Sequence, residues 1–213
     1  MKPALLLLLA LPPEMPTAGP GPVRITFSPL TKPAYLEAKK SVVVTKPKMT
    51  FPLKKQNGQL TILTTKGPKI FKDIVVDEAA NKSGIGEAET LIHDYLGYLP
   101  AFKCHLLRVN YYETSQYLLI SDSGQQLELW GEPIFAPDMQ HIIATCMGIE
   151  YGGGQPNILQ LLALRNGVWK QVWKQEPKHW EPYRVGWTSA NTLLLSRMMW
   201  TGKSQGTPIL IRG

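Results

Sequence analysis

Glu132-Pro133-Ile134-Phe135-Ala136-Pro137-Asp138 leads into the apolar run 142–147. A looser copy follows 52 residues after Phe135. There Glu181-Pro182 precedes Trp187-Thr188-Ser189-Ala190-Asn191 and the apolar run 193–196. Each copy is Glu-Pro, a bulky aromatic, a small polar turn and a strand. Between the copies, the runs 158–164 and 168–173 flank Arg165-Asn166-Gly167, a hairpin turn signal. A single small sheet cannot bury both of its faces, so a repeated sheet of this length implies stacked neighbours. The fold class is therefore all-β, built of antiparallel blade-like sheets.

Working outward, the same grammar recurs. Residues 104–110 and 116–121 read as strands, and Asp122-Ser123-Gly124 turns the chain back into 126–130. Further upstream, 49–54, 60–64 and 70–76 read as a meander about the turns Gln56-Asn57-Gly58 and Lys66-Gly67-Pro68. The β-branched run Val42-Val43-Val44 predicts a strand over 41–45, and alternation predicts another over 23–27. Helix is expected only as one turn in 35–40 and a short piece in 87–94, after a polar loop over 77–89. Pro and Gly stand at 18 each, punctuation that suits short strands better than long helices.

Phe135-Ala136-Pro137-Asp138 is similar to the F-S-P-D-G turn between blade strands of WD-repeat-like and Tol-B-like β-propellers. Ala136 takes the place of Ser and Met139 that of Gly, and the second copy lacks the Pro-Asp pair. Residues 95–198 also resemble uncharacterised exported proteins of environmental bacteria. The shared order is Tyr-Leu-Gly-Tyr-Leu-Pro, Tyr-Tyr-Glu, Gly-x-Pro-x-Phe and Trp-x-Pro, here at 95–100, 111–113, 131–135 and 180–182. The resemblance implies a propeller-like fold of about four blades, or an open array of them, at roughly 40–50 residues per blade. It implies no activity, because a fold does not fix function.

The amino terminus sets the compartment. Lys2, an unbroken apolar run over 4–11, Pro12-Pro13 and the small residues Thr17-Ala18-Gly19 follow the order of a secretory signal peptide. Cleavage after Ala18 leaves 19–213 as one β-rich domain, secreted or periplasmic, with no transmembrane segment once the signal is removed. Cys104 and Cys146 leave one disulfide and two free thiols both open. The net charge of +7 is concentrated between Lys32 and Lys72, where ten lysines face a single acid, Glu37. Such a stretch suits a polyanion, or a lysine-coated face that protects edge strands. It contains no Arg and few aromatics, which disfavours nucleic acid.

No motif with a catalytic mechanism emerges. His93, His105, His141 and His179 share no metal-ligand spacing, and no G-x-S-x-G elbow exists. Gly152-Gly153-Gly154 lacks the Lys-Ser/Thr of a phosphate loop, and nothing selects a carboxylate pair from Glu113, Glu128 and Glu150. No cofactor is expected. Aromatics crowd the end of the chain: Trp169, Trp173, Trp180, Tyr183, Trp187 and Trp200. Trp169 or Trp173, together with Trp187, are expected in sheet cores. Trp180 and Tyr183 flank Glu181-Pro182 in an expected loop and are the candidate partner-binding pair. The sequence thus points to an exported, non-catalytic module that binds a protein or carbohydrate at the cell envelope. Its rivals are a secreted hydrolase acting on a polymer and a polyanion binder using the Lys32 to Lys72 stretch.

Overall fold

The structure, a computed structural model, describes residues 23–76, 86–149 and 154–199. The expected signal segment, the lead to residue 22, most of the 77–89 loop, Glu150, Gly152, Gly153 and Trp200 lie outside the described residues. The protein is mainly β, with four antiparallel sheets. An N-terminal hairpin pairs β1 (Gln59–Thr64) with β2 (Gly67–Lys72). Sheet I runs in chain order through β3 (Leu91–Leu99), β4 (Cys104–Tyr111), β5 (Ser115–Ser121) and β6 (Gln126–Leu129). Sheet II repeats that meander with β7 (Ile134–Phe135), β8 (His141–Cys146), β9 (Ile158–Arg165) and β10 (Val168–Gln175). Sheet III pairs β11 (Trp180–Ser189) with β12 (Thr192–Met199). No closed ring of sheets is present among the described residues.

Three apolar clusters lie between these four layers. Leu60 and Ile62 of the hairpin meet Leu107, Val109, Leu118 and Ile120 of sheet I. The opposite face of sheet I, with Leu106 and Leu119, meets Phe135, Ile142, Leu162 and Trp169 of sheet II. Ile143, Leu159 and Leu161 on the far side of sheet II then pack against Trp187 of sheet III. Successive strand residues point to opposite faces, so β4, β5 and β9 feed two cores at once. That is why they read as continuous apolar runs and not as alternating ones. The β9–β10 turn is the expected one: Asn166 (φ 52°) and Gly167 (φ 74°) are both left-handed, as a tight two-residue hairpin requires.

The aromatic repeat has three structural copies, one more than the sequence suggests. Tyr98 pairs with His105, Phe135 with Ile142 and Trp187 with Leu193, each on the first two strands of its sheet. The segment 42–51 crosses all three first strands as a strap. Val43 bridges Trp187, Thr45 bridges Phe135 and Thr50 bridges Tyr98. Between Val43 and Thr45 the chain advances only about 7 Å, which leaves no length to run beside any one strand. The strands expected over 41–45 and 49–54 are therefore single bridges, and Pro47 and Pro52 remove further donors. The strand expected over 23–27 is likewise irregular chain, with Val23 and Ile25 packed on the sheet II–III core.

The helical expectations also change. Thr31 caps a nine-residue helix, α1 (Lys32–Lys40), with Pro33 in its first turn, longer than the single turn expected. It closes on Lys39 and Lys40, which suit a helix C-terminus, and rests against β12. The helix expected over 87–94 is a 3-10 turn at Glu87–Glu89, capped by Thr90 and followed by β3. Leu91 bridges Ile74 and pairs with Tyr111, so tertiary pairing overrides local helix preference there.

Candidate partner-binding surface

Two β-bulges decide where the late aromatics point. Trp169 and Trp173 are four apart and would share one face of a regular strand. A register shift between Gln171 and Trp173 inserts one residue and turns Trp173 to the opposite side. Trp169 is thus buried between sheets I and II, edge-on to Phe102 and Phe135, whereas Trp173 packs on the sheet II–III core. Trp187 is buried in that second core, and its indole N–H donates to the Ile134 carbonyl at 2.9 Å, tying sheet III to sheet II. The second bulge, between Pro182 and Arg184, leaves Tyr183 without a partner on β12.

Trp180 and Tyr183 accordingly stand in strand β11, not in the loop expected. The run Trp180-Glu181-Pro182 looked like a connection because Pro cannot donate to a ladder; an edge position accommodates it. Trp180 is half-buried, and Phe27 sits between it and Trp173 at ring-centroid distances of 6.2 and 6.4 Å. Phe27 itself is 53% exposed. Tyr183 is 42% exposed, with the Arg184 guanidinium 5.2 Å from its ring centroid. The surface therefore offers Phe27 tilted against Trp173 and edge-on to Trp180, and a separate Tyr183–Arg184 pair. Phe27 was missed because its run reads as a strand in sequence.

The ionisable groups are drawn into pairs that join elements. Asp73 Oδ2 accepts from Lys55 Nζ at 2.6 Å, and Oδ1 accepts from the His93 backbone N–H at 2.8 Å. Burial pushes the Asp73 carboxyl up, but the Lys55 and His93 contacts together outweigh it and hold the group below its ordinary value. Asp94 is also held low, chiefly by the Arg108 guanidinium. His105 Nδ1 lies 3.0 Å from the Tyr95 hydroxyl, and burial lowers the affinity of His105 for a proton. Tyr98 donates to Asp122, and His141 meets Asp138 at 3.0 Å within the β7–β8 turn. His179 joins none of these pairs, while Glu113 and Glu128 are exposed and lie on different elements. Among the described residues, no group of three or more His, Cys, Asp or Glu could hold a metal ion.

Both cysteines are free thiols: Cys104 is buried on β4 and Cys146 half-buried at the end of β8. Burial pushes Cys104 up to about 12 and Cys146 up to about 11, so neither is a thiolate near neutrality. Cys104 lines a small cavity between sheets I and II with Leu119, Leu127 and Trp169. Its volume is about 10 Å³, near the minimum for one water.

Of the ten lysines between Lys32 and Lys72, Lys40 pairs with Glu37 and Lys55 with Asp73. The other eight form no ion pair among the described residues. No family model, curated protein or solved structure matches this chain.

The third repeat copy had a signal that was legible. Gly97-Tyr98 and Gly186-Trp187 share a glycine just before the aromatic, where the strap passes. A Cβ at Gly97 would lie 3.1 Å from the Thr50 carbonyl, and one at Gly186 would lie 2.7 Å from a Val42 methyl.

Proposed function

We propose that this chain is an exported, non-catalytic module of the cell envelope that binds a partner through its late aromatic surface. The carrying observation is the exposed edge of sheets II and III: Phe27 against Trp173 and Trp180, with the bulged Tyr183 beside Arg184. Aromatic rings supply rigid contact area at low entropy cost, which suits sugar rings or a protein partner. The sheets are read as blades of a propeller-like open array. Two features support that reading: the matched meanders of sheets I and II, and the left-handed Met139 (φ 56°), which stands where the propeller turn takes Gly.

The binding test is a fluorescence titration of residues 19–213 with cell-wall polysaccharide fragments and with purified envelope proteins. Tyr183→Ala is the cleaner variant because Tyr183 is 42% exposed, whereas Trp180 packs on the sheet II–III core. It should weaken binding about tenfold, the scale of a modest hot spot. Unchanged affinity in both Tyr183→Ala and Trp180→Ala variants would sink the proposal. Export is tested separately by the mass of the protein recovered from the envelope fraction, which should lack residues 1–18.

A second reading, a polyanion binder, draws on the eight lysines that form no ion pair among the described residues. It requires retention on an anionic polymer to fall steeply with salt. Salt-independent retention removes it.

A further inference from the structure

We infer that the outward face of the N-terminal hairpin docks on a bilayer bearing anionic headgroups. Paired residues of antiparallel strands share a face, so the registers Gln59↔Lys72, Thr61↔Ile70 and Leu63↔Pro68 define one side of the hairpin. The other side carries Leu60 and Ile62 into the core against sheet I. The outward side faces solvent: Leu63 is 75% and Ile70 60% exposed. Pro68 and Lys72 are exposed beside them, and Lys66 is exposed at the hairpin tip. Neither Lys66 nor Lys72 has an ion-pair partner among the described residues.

Charge complementarity selects the occupant. In a face-to-face pair of copies, the unpaired lysines of one hairpin would meet those of the other. A protein partner is a poorer fit, because protein interfaces favour aromatics and Arg and disfavour Lys. This face has aliphatic residues and lysine, and residues 32–72 contain no Arg. An anionic bilayer accepts both: aliphatic side chains enter the acyl boundary, and lysines keep their ammonium groups among the headgroups. This face is separate from the Trp180–Tyr183 surface, and the inference does not rest on that reading.

The test is vesicle co-sedimentation of residues 19–213 with phosphatidylcholine alone and with phosphatidylcholine containing phosphatidylglycerol. The variants are Leu63→Ser/Ile70→Ser and Lys66→Glu/Lys72→Glu, all at exposed side chains. A soluble polyphosphate serves as a charge-only competitor, and circular dichroism checks that each variant is folded. Wild type should sediment with the phosphatidylglycerol vesicles and not with phosphatidylcholine alone. Each double variant should lose at least tenfold in vesicle affinity, while Leu63→Ser/Ile70→Ser keeps wild-type affinity for polyphosphate. No sedimentation with phosphatidylglycerol overturns the inference. So does vesicle binding by a folded Leu63→Ser/Ile70→Ser variant equal to wild type, which would assign the lysines to soluble polyanions.

Discussion

Sheets I and II and the strap over 42–51 are both rich in strand-forming residues, yet only the sheets form ladders. Strands β4, β5 and β9 each lie between two neighbouring strands and feed a core on each face. The strap carries Val42-Val43-Val44 and forms a single β-bridge to each of three sheets. Val44 is 76% exposed and Phe51 68%. Strand propensity is thus realised only where a partner runs alongside, because the measured preference is largely the packing of a pleated surface against neighbours. The sheets should therefore fail globally when altered, and the strap locally.

The sharpest break of that contrast is Trp169→Ala. Trp169 is 2% exposed and joins Phe102 and Phe135 at the sheet I–II boundary. Truncation should cost about 3–5 kcal/mol, the range for emptying a large aromatic site in a core. Its indole N–H has no partner among the described residues, so Trp169→Phe should cost less. Equilibrium urea unfolding measures both. Equal losses would mean that the ring volume matters less than the clusters imply.

A smaller effect is expected where strap and sheet meet. Gly97 has φ +140°, and an added Cβ would sit 3.1 Å from the Thr50 carbonyl and 3.3 Å from the Phe51 ring. Gly97→Ala should cost roughly 1–3 kcal/mol through backbone strain. The loss should be local. The Thr50 N–H, which donates to the Tyr98 carbonyl at 2.9 Å, should exchange faster. The Val43 N–H, bonded to the Trp187 carbonyl at 2.8 Å, should be less affected. Equal acceleration at both would show the strap detaching as one piece.

This contrast also explains what was legible in the sequence. Strands β4, β5, β8 and β9 were readable from their apolar runs, and β10 from its β-branched and aromatic residues after the strong turn Asn166-Gly167. The strap was misread because Val42-Val43-Val44 carries the same composition without a lengthwise partner, and partners are not local information. Strand β3 was obscured by Glu87–Glu89, whose helix-like start ends where Leu91 finds β4. At the candidate surface, the residues of interest were found but their setting was not. Bulges at 171–173 and 182–184 re-aim Trp173 and Tyr183, and a bulge leaves little trace in composition.

The mildest break lies at the hairpin's attachment, where one carboxylate joins the N-terminal region to sheet I. Asp73 is held by Lys55 from the end of the strap side and by His93 of β3, and its side chain is only 10% exposed. Its folded pKa lies below the ordinary value of 3.8. A depressed pKa means that the ionised form is favoured by folding. The stabilisation is therefore complete above about pH 4 and is lost as pH falls through the folded pKa. Asp73→Asn should cost roughly 1–2 kcal/mol at pH 7, the scale of lost charge-assisted hydrogen bonds. The deficit should shrink below pH 3.8. His105 acts in a higher window: its lowered pKa favours the neutral ring in the fold, so its contribution is complete above pH 6.5 and declines as the solution is acidified. Between pH 6.5 and 4 the wild type and Asp73→Asn should therefore lose stability in parallel, converging only below that range. Convergence already at pH 6 would show that the Asp73 carboxylate does not govern the attachment.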